Sequence, residues 1–102
     1  MFYVNIIKSY RDVVAICDAE LLGKKFEDGN FQLDVRESFY RAPDSAPIEA
    51  TELIEIIHDM SLEDATFNLV GKKAIDLAIS NNLILKSSIK EIEGIPFALV
   101  LL

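Results

Sequence analysis

The chain has 102 residues, 51% hydrophobic and 26% charged, so we expect a folded globular protein with a single domain over residues 1–102. Its formal net charge of −7 disfavours broad electrostatic binding to nucleic acid, although it leaves room for a local basic patch. No apolar run approaches the ~20 residues of a membrane span, the N-terminus lacks a signal-peptide pattern, and one cysteine fits a reducing compartment, so we expect a cytoplasmic protein without a membrane partner.

The first third of the sequence predicts a hairpin followed by a short helical turn. Phe2–Ile7 alternates as a strand does, and Val13–Cys17 is rich in β-branched residues, so the two segments are predicted to pair. Asp18 is predicted to cap a single turn over residues 19–22. Gly23 then ends this turn, because glycine tolerates the left-handed conformation at a helix end.

A tight turn, a third strand and a loop are predicted next. Asp28-Gly29 is a turn signal, and apolar and polar residues alternate over 31–36 as in a half-buried strand. Two prolines, a serine and an aspartate within residues 42–47 predict a loop.

Two helices are predicted in the second half of the chain. The first runs from Pro47 to Met60, because proline suits a first turn and apolar residues recur there with helical spacing. Its buried stripe is predicted to comprise Leu53, Ile54, Ile57 and Met60. The second helix is predicted from about Ser61 to Asn82, which places Gly71 in its interior, where glycine costs about 1 kcal/mol relative to alanine.

The C-terminal residues predict a closing hairpin, with strands over 89–92 and 95–102 joined at Glu93-Gly94. Pro96 marks an edge or a strand start, because proline cannot donate a hydrogen bond to a ladder. The apolar run after it should be sandwiched or paired with another subunit. These elements predict an α+β fold with about five strands in a mixed, largely antiparallel sheet and two main helices packed on it.

Three segments resemble a known family. CDAELLGKKFEDG, FNLVGKKA and IEGIPFA occur in this order and are similar to the archaeal family catalogued as domain of unknown function 424. The resemblance covers nearly the whole chain and implies an archaeal cytoplasmic origin and a compact α+β domain. A link to RNA or translation is a hypothesis about this family, and the resemblance assigns no catalytic residues.

Cys17 and Asp18 are the first candidate site. A thiol becomes nucleophilic when a helix N-terminus or a nearby cation lowers its pKa, and Lys24 and Lys25 are candidates for that cation. The adjacent carboxylate would oppose this effect, and a free cysteine is more often a small buried hydrophobe. Asp18 is likewise interpreted as a cap more readily than as half of an acid–base pair with Glu20.

Gly23, Lys24 and Lys25 are a second candidate, as a site for an anion such as the RNA backbone. The segment lacks the pattern of a phosphate-binding P-loop, and no long helix is predicted to follow it. The alternative is a helix stop followed by two solvated lysines.

Asn68, Gly71 and Lys72 form the third candidate. On the predicted helix, Asn68 and Gly71 would lie about 60° apart on one side. The simplest interpretation is a close approach of helix to sheet, with Asn68 bonded to a loop backbone, and the alternative is a ligand or partner site at that position. The local sequence leaves open whether this segment meets residues 17–25.

An aromatic pair and the single histidine complete the candidates. Phe39 and Tyr40 lie between Arg36 and Arg41, a composition that can stack on unpaired bases, although core packing of at least one ring is favoured. His58 is predicted to be a surface residue.

Three functional hypotheses follow. The first is a non-enzymatic binding module for RNA or a ribonucleoprotein, and the second is a protein-interaction domain or homodimer that uses the apolar C-terminal strand. The third is a small-ligand binder or enzyme around Cys17, Asp18 and Asn68. We expect no cofactor, and one cysteine with one histidine rules out the usual zinc sites unless carboxylates or a second subunit supply ligands.

Overall fold

The computed structural model describes residues 1–101 and consists of a five-stranded sheet, a two-stranded hairpin and three α-helices. The strands are β1 (Phe2–Ile7), β2 (Val13–Asp18), β3 (Lys25–Asp28), β4 (Phe31–Asp34), β5 (Thr66–Val70), β6 (Lys90–Ile92) and β7 (Ile95–Val100). The α-helices are α1 (Glu37–Tyr40), α2 (Ala50–Leu62) and α3 (Lys72–Ser80), with 3-10 turns at Ala19–Leu21 and Lys86–Ser88. The predicted α+β class is confirmed.

The main sheet has the strand order β1-β2-β5-β7-β6. Strands β2 and β5 are parallel neighbours, and the other adjacent pairs in this sheet are antiparallel. Strands β3 and β4 form the separate antiparallel hairpin. The sheet is therefore mixed and largely antiparallel, as predicted.

The sheet is covered on both faces, which produces two apolar cores. Alternate residues of β2 serve each one, because side chains of a strand point to opposite sides: Val14 and Ile16 face a core with α2 and α3, whereas Ala15 and Cys17 face a core with the β3–β4 hairpin and α1. We call these the helix face and the hairpin face. Double coverage explains why the central strands have little polar alternation.

The predicted second helix is wrong in its first half. Residues Thr66–Val70 form β5 in the middle of the sheet, and α3 begins only at Lys72. A short apolar run such as TFNLV fits a buried strand as well as a helix segment, so spacing alone misassigns it. Ser61 belongs to α2 instead, where its hydroxyl donates a hydrogen bond to the Ile57 carbonyl (2.7 Å).

The start of the first helix also differs from the prediction. Helix α2 begins at Ala50 because Ile48 is extended and exchanges two backbone hydrogen bonds with Phe2 (2.8 and 2.9 Å). In its predicted stripe, Leu53, Ile57 and Met60 are buried and Ile54 is half-buried.

The predicted hairpins at the two ends of the chain are confirmed as β1–β2 and β6–β7, and the predicted turn after Asp28 joins β3 to β4. Strand β3 escaped prediction because Lys25–Asp28 contains only one apolar residue. Pro96 is the second residue of β7, so it marks a strand start, and β7 is an inner strand between β5 and β6. The prediction extended this strand to residue 102, which lies outside the described residues.

Candidate functional site

The carboxyl ends of the parallel strands β2 and β5 bring two of the candidate segments together. Cys17 pairs with Val70, so the next residues, Asp18 and Gly71, lie side by side. The segments 17–18 and 70–72 therefore form one cluster, although the sequence separates them by more than 50 residues.

The Asp18 carboxylate caps α3. Its two oxygens accept hydrogen bonds from the backbone N–H groups of Lys73 (3.0 Å) and Ala74 (2.8 Å), and the residue is only 3% exposed. The first N–H groups of a helix have no partner within the helix, so this carboxylate satisfies two of them. The prediction that Asp18 caps the turn at 19–22 is wrong, because its side chain makes no cap bond there and bonds to the distant helix instead.

Gly71 is required by its backbone conformation and by its neighbour. Its φ of +110° and ψ of 150° belong to a region that is essentially restricted to glycine. A Cβ atom at this position would also overlap the Asp18 side chain. The glycine thus permits both the sharp strand-to-helix turn and the approach of the carboxylate. The prediction that Gly71 lies inside a helix is wrong, because the residue precedes α3.

The electrostatics of this cluster are largely satisfied internally. Burial raises the pKa of the Asp18 carboxyl, and the two backbone hydrogen bonds act against that rise. Lys73 lies 3.7 Å from a Glu20 carboxylate oxygen, whereas Lys72 is exposed. Since an intramolecular carboxylate already occupies the N-terminus of α3, a phosphate would have to displace it to bind there.

Cys17 lies in the hairpin-face core. It is 0% exposed, and burial raises the pKa of its thiol to about 12. The negative charges of Asp18 and Glu20 add to this rise. A thiol in this environment stays protonated and shielded from solvent, which favours the interpretation as a small hydrophobe.

Gly23, Lys24 and Lys25 form the base of the β3–β4 hairpin. Gly23 has a φ of +84°, as predicted, and its N–H donates a hydrogen bond to the Val35 carbonyl (2.7 Å). The Lys24 carbonyl accepts a bond from the Val35 N–H (2.9 Å), and Lys25 pairs with Asp34. Both lysine side chains are exposed, and neither lines the cavity that contains Asn68.

Asn68 lies in a groove on the hairpin face. The groove has a volume of about 390 Å³ and includes Tyr40, Asn68, Ser88, Lys90, Phe97 and Leu99 in its lining. The Asn68 amide makes no side-chain hydrogen bond to any residue within 1–101, so the predicted bond to a loop backbone is absent there. Asn68 and Asp18 point to opposite faces of the sheet, because Asp18 caps α3 on the helix face.

The groove also contains residues that have no distinguishing pattern in the sequence. Lys90 pairs with Phe97 across β6 and β7, and this pair borders Asn68. Counting back from the Glu93-Gly94 turn gives this register directly. The turn in the sequence could therefore have predicted that Lys90 lies beside Phe97.

The aromatic and basic residues of α1 are mostly engaged within the protein. Tyr40 is buried, burial raises its pKa to about 12, and Phe39 contacts it edge to face at 5.0 Å between ring centroids. The Arg41 guanidinium lies 5.6 Å from the centre of the Tyr3 ring and pairs with Glu37 at 2.9 Å. Core packing therefore accounts for this cluster.

The described residues contain neither a membrane-spanning helix nor a metal-binding cluster. None of the helices within 1–101 has the length and hydropathy needed to cross a bilayer. The same part of the chain holds no cluster of three or more His, Cys, Asp or Glu side chains arranged to hold a metal ion. His58 is exposed, as predicted.

Comparison with known proteins identifies the family. Residues 7–102 match the family described as proteins of unknown function, DUF424, and the chain belongs to it. Its fold is similar to the crystal structure of an uncharacterised conserved protein from Methanopyrus kandleri, with a TM-score of 0.81 and 23% identity over 98% of this chain and 91% of that one. No curated protein matches the sequence.

Because Asp18 and Gly71 are in contact, we expect the losses of stability caused by substituting each of them to be non-additive. Asp18→Ala should cost about 2–3 kcal/mol because it leaves two N–H groups without partners, and Asp18→Asn should cost less because one acceptor remains. Gly71→Ala should cost at least ~2 kcal/mol through backbone strain and overlap. In the double variant Asp18→Ala/Gly71→Ala the loss should be smaller than the sum, as measured by guanidinium denaturation.

Gly23→Ala is the matched control for this cycle. Gly23 also has a positive φ, but a Cβ atom there would meet nothing within 4 Å, so only backbone strain of about 1 kcal/mol is expected. A loss for Gly71→Ala no larger than that for Gly23→Ala would contradict the proposed overlap.

The Cys17 thiol should react only when the protein unfolds. We expect labelling by a thiol reagent at pH 8 to be at least 100-fold slower in buffer than in 6 M guanidinium, because the side chain is fully buried. The variant Cys17→Ala/Ser87→Cys, with its thiol on an exposed position, should label rapidly when folded. Equal rates for the two folded proteins would show that Cys17 is accessible.

The raised thiol pKa should make the protein less stable at alkaline pH. The folded thiol, with a pKa of about 12, holds its proton more tightly than the unfolded thiol, with a pKa of about 8.5, so stability falls as pH rises above the unfolded value. Between pH 8.5 and 10, wild type should lose about 1.5 kcal/mol more than Cys17→Ala. Parallel stability profiles for the two proteins would contradict the shift.

Proposed function

We propose that this protein is a non-enzymatic binding module that holds single-stranded RNA, alone or within a ribonucleoprotein, in the groove beside Asn68. One observation carries the proposal. The groove combines an amide without a side-chain partner in the described residues, an aromatic ring and an exposed lysine, on the face away from the acidic helix α2.

The groove residues suit an unstacked nucleotide. The half-buried Phe97 ring offers a surface on which a base can stack, and the Asn68 amide has both a donor and an acceptor for a base edge. Lys90 pairs with Phe97 across the hairpin, so its ammonium lies within reach of a phosphate on the same nucleotide. A volume of about 390 Å³ accommodates one or two bases.

The net charge of −7 disfavours RNA binding, but the charge is unevenly distributed along the chain, and this weakens the objection. Residues 49–64, which include α2, carry six acidic side chains and no lysine or arginine, so the rest of the chain has a net charge of only −1. Helix α2 packs on the helix face, and the groove opens on the hairpin face. With few lysines at the groove, we expect micromolar affinity and a weak dependence on salt.

Catalysis has less support than binding. Cys17 is buried, the Asp18 carboxylate is bonded to α3, and Asn68 lies on the opposite face from Asp18. These three residues therefore share no cavity in which a substrate would meet them together. We also place the protein in the cytoplasm, because a free thiol fits a reducing compartment.

Fluorescence anisotropy with a labelled 12-nucleotide random-sequence RNA tests the proposal. We expect micromolar binding by wild type and at least fivefold weaker binding by Asn68→Ala and by Lys90→Glu, because these changes remove the base-edge and phosphate contacts. A duplex of the same length should bind more weakly than the single strand.

Lys8→Glu is the control with a matched change of charge. Lys8 lies in the turn between β1 and β2 and pairs with Asp12 at 3.0 Å, outside the groove. This variant should bind nearly as wild type does. An equal loss for Lys8→Glu, or no binding at 100 µM protein, would overturn the proposal.

A further inference from the structure

The Tyr40 side chain is buried, but its hydroxyl group has no hydrogen-bond partner in the described chain. The residue is 6% exposed, and its ring packs in the hairpin-face core. No residue within 1–101 donates a hydrogen bond to the hydroxyl oxygen or accepts one from it. Buried tyrosines usually have such a partner, because a hydroxyl group without one loses its hydration uncompensated. The packing of the ring therefore does not account for the hydroxyl.

This hydroxyl can be reached from the groove beside Asn68. Tyr40 is one of the residues that line the groove. Within residues 1–101, the side-chain polar atom that is both sealed from solvent and without a partner is Ser45 Oγ, so Tyr40 Oη keeps some contact with solvent. Because core residues cover the rest of the ring, the groove is the opening through which a ligand would meet the hydroxyl.

Two polar groups without side-chain partners therefore line one groove. Asn68 is half-buried, and its amide makes no side-chain hydrogen bond within 1–101. Phenylalanine at position 40 and leucine at position 68 would fill similar space without the loss of hydration. Unpaired polar groups that converge on a cavity are typical of a ligand site, where the ligand supplies the missing partners.

The strand order gives the groove a direction. Lys90 lies on the edge strand β6, Phe97 on its neighbour β7, and Asn68 on β5. Helix α1, which carries Tyr40, contacts β1 and β2 on the far side of β5. From the edge of the sheet inwards, a ligand would meet first an ammonium group, then an aromatic ring, and finally the amide and the hydroxyl.

We propose that Tyr40 is a specificity-determining residue whose hydroxyl, together with the Asn68 amide, binds the edge of one unpaired RNA base. This inference rests on the RNA-binding function proposed above. With a phosphate at Lys90 and the base stacked on Phe97, the hydrogen-bonding edge of the base points towards the two inner groups. The amide offers a donor and an acceptor, and the hydroxyl serves as either. The groove therefore selects among bases, because a base with the wrong edge leaves one of these groups unpaired.

Tyr40→Phe isolates the hydroxyl, because it leaves the ring and its packing in place. The free energy of unfolding should not fall, since the hydroxyl has no partner in the protein to lose. Binding is measured by fluorescence anisotropy with labelled 12-nucleotide strands of A, C or U. For wild type, the dissociation constants of the strongest and weakest strands should differ at least fivefold. Tyr40→Phe should weaken binding of the strongest strand about fivefold, as expected for one neutral hydrogen bond, and should narrow that difference.

Tyr3→Phe is the matched control. Tyr3 packs against the same core, but it does not line the groove, so its substitution should change neither the affinity nor the base preference. Equal affinities for the three strands, an undiminished preference in Tyr40→Phe, or equal losses for the two variants would overturn the inference and leave RNA binding intact. No binding of any strand would overturn the proposed function and this inference with it.

Side-chain amide resonances in NMR spectra give a second readout. The Asn68 amide should shift when the preferred strand is added to wild type, and it should shift less in Tyr40→Phe. The Asn5 amide is the internal reference, because it already donates a hydrogen bond to the Phe39 carbonyl (2.9 Å) and should not shift. Equal shifts of the two amides, or a less stable Tyr40→Phe protein, would contradict the assigned role of the hydroxyl.

Discussion

The bond between the Asp18 carboxylate and the first turn of α3 is the interaction on which much of this structure depends. It joins the end of β2 to a helix that begins 54 residues later, and it lies almost entirely out of contact with solvent. A buried carboxylate is tolerated there because two N–H groups and the positive end of the helix dipole compensate the lost hydration. This contact requires glycine at position 71, because any side chain there would overlap the Asp18 carboxylate.

The position of α3 on the helix face of the sheet also depends on this bond. It holds α3 beside α2 on the helix face, where the acidic residues of 49–64 are concentrated, and it uses the anion-binding capacity of the helix N-terminus within the protein. On the hairpin face, polar side chains border a groove of about 390 Å³. Asn68 shows this most clearly, since it interrupts an apolar strand and projects into a groove.

The exposure of Leu99 beside the groove is related to the shortness of β6, which has three residues. Strand β6 begins at Lys90, opposite Phe97, and the Leu99 side chain beyond it is 58% exposed.

The sequence by itself determined the α+β class, the terminal hairpins, the buried stripe of α2 and the family, because these depend on local alternation, turn residues and motifs. It did not determine β5, because five mostly apolar residues satisfy both the helical and the strand period. It predicted a cap at Asp18 but not the helix that Asp18 caps. Only the tertiary structure decided that Asp18 meets Gly71 while Asn68 faces away from both, because the parallel pairing of β2 with β5 joins residues about 50 positions apart and leaves no local pattern in the sequence.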